Sequence, residues 1–259
     1  MSELSVLQLV LIGLIFVWSG IVRSGLGFGG AVLSLPFLLM ILDDPIVFLP
    51  IISVHLLVFA SLTVWQNNRN KPKEDGGVLA TVDWRYLGKA MSIMIVPKIA
   101  GVFGLIVFSN TVMSAIIFFI VFLYSLSYIF NVPFKSKHPL VDVVFLAIGG
   151  YVSGTSLIGA PLIIAVFANH VSKYKLRDTL FVLWFILVAI KMGAFIYADI
   201  DLQLIHHLWL LPCAAVGHVI GLRLHKKLVN AETPVFFRVL GAALLVVSVF
   251  GIVQSVRSF

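Results

Sequence analysis

Apolar residues run through this chain in blocks, not in stripes. Ten blocks can be drawn, at 5–22, 31–42, 46–65, 86–108, 111–131, 139–153, 160–170, 177–198, 204–224 and 233–254. Most approach the roughly 20 residues that a helix needs to cross a bilayer core of about 30 Å. In hydrocarbon the backbone must satisfy its own polar groups, so the blocks predict helices. The blocks at 31–42 and 160–170 are too short to span comfortably. Each directly follows a stretch rich in Gly, Ser and Thr, at 23–30 and 153–159.

The polar positions between blocks fix an orientation. Basic residues fall around Arg23, from Arg69 to Lys89, at Lys135 and Lys137, from Lys173 to Arg177, and from Arg223 to Lys227. The alternate connections carry Asp43 and Asp44, then Ser109 and Asn110, then the uncharged break at 154–159, then Asp199 and Asp201. Ten crossings put every basic connection on one side, the cytoplasmic side by the positive-inside rule, with both termini outside. Arg257 is the one exception. The longest polar stretch, QNNRNKPKEDGG (66–77), reads as a solvated cytoplasmic loop.

Composition agrees. Hydrophobic residues make up 61%, charged residues 11%, and mean hydropathy is +1.11, far from a soluble domain with about 25% charged residues. The net charge of +7 therefore reports membrane orientation and does not point to nucleic acid. Cys213 is the single cysteine, so no intramolecular disulfide forms. With no basic stretch before the first apolar block, 4–22 reads as a retained membrane segment and not a signal peptide.

The chain also repeats itself. Shifted by 130 residues, Ser19, Gly20, Ile21 and Val22 fall on Gly149, Gly150, Tyr151 and Val152, and Gly29–Leu33 falls on Gly159–Ile163. Pro97 with Gly101 and Gly104 approximately matches Pro212 with Gly217 and Gly221. Each half holds five segments, an odd number, so the second half lies inverted. The expected fold is an all-α polytopic membrane protein built as a 5+5 inverted-topology repeat with two broken, short helices. The repeats are expected at 1–134 and 135–259. Such repeats, interrupted at matching positions, mark secondary transporters and place the substrate site at the breaks.

Within the first break, Gly25, Gly27 and Gly30 spell G-x-G-x-x-G, the dinucleotide fingerprint, but without the soluble strand–turn–helix setting that gives it meaning. The glycines are expected instead to let the backbone unwind and approach a small ligand. Short helices starting near Ala31 and Ala160 would then present N–H groups and partial positive charge to an anion. Pro161 suits a first helical turn. Lys98 and Lys191 lie mid-segment, with no Asp or Glu at similar depth. A buried cation costs at least about 2.5 kcal/mol at a helix centre, and an anionic cargo would offset that cost. Arg23 lies at the first break. His55 and His218 are the buried groups that could carry a proton. Pro36, Pro50, Pro97 and Pro212 are expected to kink helices.

Nothing in the spacing suggests a metal site, a nucleophile elbow, a P-loop or a paired-carboxylate site. Neither a cofactor nor an enzymatic step is expected. The candidate substrate-binding set is Arg23, Ser24, Gly25, Gly27, Gly29, Gly30, His55, Lys98, Thr155, Ser156, Gly159, Ala160 and Lys191. An anion channel and an intramembrane enzyme are the rival readings.

The segments GLGFGGAVLSLPFLL (25–39) and GGYVSGTSLIGAPLII (149–164) resemble the paired signature of the TauE/SafE family of sulfite and organosulfonate exporters. The pattern there approximates G-x-G-G-G-x-x-x-x-P-x-L, followed by G-x-x-S-G and G-G-P. Asp83 and Trp84, ahead of the fourth segment, are a frequent feature of that family. Thr155, Leu157 and Ala160 stand where its second motif often has glycine. The resemblance spans almost the whole chain. It implies transport of sulfite, a sulfonate or a related sulfur anion across the cytoplasmic membrane, with the lipid bilayer and a small anion as partners. It fixes neither the oligomeric state nor the direction of transport.

Overall fold

A computed structural model describes residues 4–26, 29–69, 81–132, 134–136, 138–230 and 234–257. The described residues form ten helices and no strand: α1 Val6–Leu26, α2 Leu35–Ile41, α3 Pro45–Arg69, α4 Trp84–Val107, α5 Asn110–Ile129, α6 Pro139–Ser156, α7 Ala160–His170, α8 Lys173–Tyr197, α9 Leu204–Asn230 and α10 Pro234–Arg257. Eight are long and apolar enough to cross a membrane. The other two, α2 and α7, are the segments the sequence marks as short; they rise only about 10 and 16 Å at 1.5 Å per residue.

Caps and prolines set the helix ends. Asp83 precedes α4, and its Oδ1 accepts the Tyr86 N–H at 3.0 Å, which satisfies one of the free donors of a first turn. Ser109 caps α5 by accepting the Val112 N–H. Pro161 sits in the first turn of α7 as expected. So does Pro36 in α2, which corrects the expectation of a kink there: a proline at a helix start removes no intrahelical bond. Pro50, Pro97 and Pro212 do lie inside helices.

The chain divides into two compact units, each drawing helices from both halves of the sequence. Unit 1 comprises Met1–Ile51, Val107–Pro133 and Asp201–Phe259; unit 2 comprises Ile52–Ile106 and Phe134–Ile200. In unit 1, α1 packs along α9, α5 along α10, and α2 against α1, α5 and α10. In unit 2, α6 packs on α7, and both touch α8.

Glycines bring the main helix pairs together at backbone distance. A Cβ on Gly20 would lie 2.4 Å from the Ala214 carbonyl oxygen, and one on Gly221 would lie 2.5 Å from that of Ile21 and 3.1 Å from the Gly25 nitrogen. In unit 2 a Cβ on Gly150 would lie 2.9 Å from the Met94 carbonyl oxygen, and one on Gly101 would lie 2.2 Å from that of Tyr151 and 3.1 Å from the Thr155 nitrogen. The two sets correspond residue by residue. Positions 20, 21 and 25 become 150, 151 and 155 by a shift of 130, while 214 and 221 become 94 and 101 by a shift of 120. In both crossings the contacts advance along the two helices in the same sense, so each pair is parallel. Close approach of small residues is how membrane helices pack without a hydrophobic drive.

Candidate functional site

The second break is shorter than the sequence suggests. Helix α6 continues through Thr155 and Ser156, and only 157–159 lie between it and α7. Leu157 turns the chain with φ of 61°, a conformation costly for a side chain with Cβ. The last carbonyls of a helix have no intrahelical donor, and in lipid they must find one. Lys98, from α4, donates to the Ser153 carbonyl at 2.9 Å and to its Oγ at 3.1 Å. Lys191, from α8, donates to the carbonyls of Gly154 and Thr155 at 2.8 and 3.1 Å. The two ammonium groups thus converge on three consecutive residues and hold the end of α6 in helical form. This is the physical reason that a Gly/Ser/Thr-rich segment, poor in intrinsic helix propensity, stays wound.

Both lysines are fully buried, at 0% exposure. They are not bare charges as the sequence alone implies, because carbonyl dipoles meet them. Neither is paired with a carboxylate among the described residues; the one ion pair there joins His170 and Asp142. An ammonium has three N–H donors, and two are accounted for at each lysine. Lys191 also lies over the Phe195 ring, 5.5 Å from its centroid. The half-charge at the end of α6 offsets only part of the positive charge that two ammonium groups would bring together.

Immediately after this turn, α7 starts at Ala160, with Gly159 as its cap. Gly159 is there for contact: a Cβ on it would lie 2.2 Å from the Gly149 carbonyl oxygen. Asp142 near the start of α6 binds His170 at the end of α7, Oδ2 to Nε2 at 2.8 Å. With Gly149 and Gly159 touching at the other end, α6 and α7 form an antiparallel hairpin whose tip carries the lysine cluster. Ser153 lies about 21 Å along α6 from its start, well inside a 30 Å core. Thr155 and Ser156 direct their hydroxyl protons to the Val152 carbonyl.

In unit 1, Arg23, Ser24 and Gly25 lie in the last turn of α1 and are buried; the sequence places them in the break itself. Gly27 lies outside the described residues. Gly29 has φ of +83°, the one glycine among the described residues that needs its conformational freedom for a turn. The Gly30 carbonyl accepts Ser34 and Ser19 hydroxyls at 2.5 and 3.3 Å. The short helix then begins at Leu35, not near Ala31, because residues 30–34 form a turn closed by Ser34 N–H on the Ala31 carbonyl. Ser24 Oγ lies 2.6 Å from His218 Nδ1 on α9. By the shifts above, His218 is the counterpart of Lys98 and Ser24 that of Gly154. His55, in unit 2, is buried in α3 edge-on to Phe59.

A buried cationic cluster at the tip of a broken-helix hairpin is the setting in which membrane transporters hold ions. The family model for the sulfite exporter TauE/SafE matches residues 11–251. The chain belongs to the TauE/SafE family. It is therefore a multi-pass membrane transporter and not an enzyme, of a family that exports sulfite and sulfur compounds, with a small anion as cargo. Comparison with curated proteins and with solved structures returns no significant match. Sequence reasoning missed Ser153 as a lysine acceptor in this TauE/SafE chain. It also missed the Asp142–His170 pair, which the spacing of two half-helices of unequal length does not reveal.

Proposed function

We propose that this protein carries sulfite or a small organosulfonate across the cytoplasmic membrane by alternating access, and that the anion binds at the α6/α7 turn. One observation carries the reading: two fully buried ammonium groups, held on the last carbonyls of α6, have no carboxylate partner among the described residues and each keeps a donor in reserve. An oxyanion taking those two donors would complete the charge balance, with the first N–H groups of α7, at Gly159 and Ala160, completing its coordination. Thr155 and Ser156 would contribute through their position and not through their hydroxyl protons.

The matched glycine contacts of the α1/α9 and α4/α6 crossings support a 5+5 inverted repeat, divided at 1–134 and 135–259. On that reading the α1/α2 turn of unit 1, with Arg23, Ser24, Gly25, Gly27, Gly29 and Gly30, plays the equivalent part. Where unit 2 has Lys98, unit 1 has His218, whose ring nitrogen meets the Ser24 hydroxyl and can give or take a proton. This favours His218 over His55 as the carrier of a coupled proton.

Counterflow in proteoliposomes tests the proposal. Vesicles loaded with sulfite should accumulate labelled sulfite transiently, saturably and in competition with isethionate. Flux that rises linearly with concentration and shows no counterflow refutes alternating access and favours a channel. Counterflow with a neutral solute of similar size, and none with sulfite, refutes the anion.

A further inference from the structure

At the start of α4, far along the helix from the lysine cluster, Asp83, Arg85, Tyr86, Lys89 and His170 line an open cavity of about 390 Å³. Its walls are fixed. The Tyr86 ring stacks on His170, centroids 4.9 Å apart and planes at 16°, and meets Phe167 edge-on at 5.1 Å. His170 is held in turn by Asp142, whose other oxygen accepts the Ser136 hydroxyl. Asp83 directs an oxygen onto the first turn of α4, and its own N–H donates to Thr179 at 2.9 Å. Arg85 and Lys89, four residues apart, share a helix face. Among the described residues their side chains make no hydrogen bond or ion pair, though Lys89 and the Asp142 carboxylate attract each other through space.

We propose that this cavity is a second oxyanion site, which takes a sulfonate- or phosphate-type group on Arg85 and Lys89. A guanidinium presents a planar fork of donors that matches such groups, and the volume suits a small organic ligand. Two sources could supply the same chemistry. A free sulfur oxyanion would pause here before entering the membrane. Alternatively, the phosphate of an anionic lipid would seat beside Trp84, which is 47% exposed at the end of a span, where aromatic residues meet headgroups. Only the free-anion source rests on the transport reading above.

The experiment compares full-length protein with an R85Q/K89Q variant in two ways. In proteoliposomes, the sulfite KM is measured from the side that carries residues 84–89. In neutral detergent, the melting temperature is measured with and without phosphatidylglycerol. A KM raised about tenfold in the variant supports the free anion. An unchanged KM, with loss of the phosphatidylglycerol-induced rise in melting temperature, supports the lipid headgroup. R85K/K89R should recover most of either effect, which a merely structural role of Arg85 and Lys89 would not require. A variant equal to the wild type in both measurements overturns the proposal. If wild-type protein moves no sulfite, the cargo assignment fails, while the phosphatidylglycerol measurement still decides this site.

Discussion

Replacing Lys98 with methionine separates a structural lysine from a substrate-binding one. The side chain is fully buried and its Nζ makes two contacts, both to Ser153. Loss of the ammonium does not orphan the Ser153 carbonyl, which also accepts the Leu157 N–H at 3.2 Å. Methionine fills a similar volume and removes a charge whose insertion costs at least about 2.5 kcal/mol. The two lost hydrogen bonds are worth about 1.5–3 kcal/mol each when one partner is charged. At the low end of these ranges, about 3 kcal/mol lost against at least about 2.5 kcal/mol regained, the terms nearly cancel, so K98M should melt within a few degrees of the wild type. Sulfite binding should respond very differently. One charge-assisted hydrogen bond of about 1.5–3 kcal/mol disappears from the complex, which weakens the affinity roughly 10- to 150-fold. A titration of melting temperature against sulfite reads both quantities, because a ligand raises stability by mass action. A normal melting temperature with a sulfite midpoint within twofold of the wild type would show that Lys98 only caps α6. The anion site would then have to lie elsewhere.

Other outcomes follow from the same geometry. K191M should be less stable than K98M by about 1–3 kcal/mol, read by detergent melting, because the Gly154 and Thr155 carbonyls lose their donor and have no second one among the described residues. Gly101→Ala and Gly221→Ala should each lower stability by about 1–3 kcal/mol, and by similar amounts, since each added Cβ would meet a backbone oxygen at 2.2 or 2.5 Å. Gly88→Ala and Gly193→Ala, with nothing within 4 Å of the added atom, should instead be neutral or gain up to about 1 kcal/mol. His218→Gln should abolish any pH-gradient dependence of isethionate counterflow, whose substrate carries no titrating proton near neutral pH, while leaving counterflow itself measurable; a gradient response equal to the wild type would remove His218 from the coupling scheme.

The helices were legible because lipid leaves the backbone no alternative, and ten apolar blocks map onto ten helices. The short second and seventh segments were legible for the same reason. What the sequence could not convey is how far a helix can be held against its own propensity. Residues 153–156 look unwound when read alone, yet Lys191, from 36 residues away, supplies the donors for the Gly154 and Thr155 carbonyls, and Lys98, from 55 residues away, adds a second donor to that of Ser153. Nor do the glycines announce which task they serve. Gly29 serves a turn, while Gly20, Gly101, Gly149, Gly150, Gly159 and Gly221 serve contact. An unpaired glycine pattern cannot separate close approach to a ligand from close approach to another helix.

The positions of Lys98 and His218 carry the comparison between units one step further. Both stand one turn before a contact glycine, Gly101 or Gly221, and both reach the end of the helix that glycine touches. Lys98 meets a helix end whose carbonyls attract a cation; His218 meets Ser24 through a ring nitrogen whose role depends on its tautomer. A lysine there bears a charge whenever the surrounding dipoles support it. A histidine nitrogen donates or accepts according to whether it carries the proton. If the two helix ends are related by an inverted repeat, the chain has kept the geometry of the crossing and changed the chemistry of one residue. On the function proposed above, one half would hold the anion and the other would respond to the proton. His218→Lys would make the two ends alike, and the expected result is binding of isethionate, a sulfonate whose own charge is constant over this range, that no longer varies between pH 6 and pH 8. Retention of a wild-type pH profile in that variant would separate the shared geometry from any shared function.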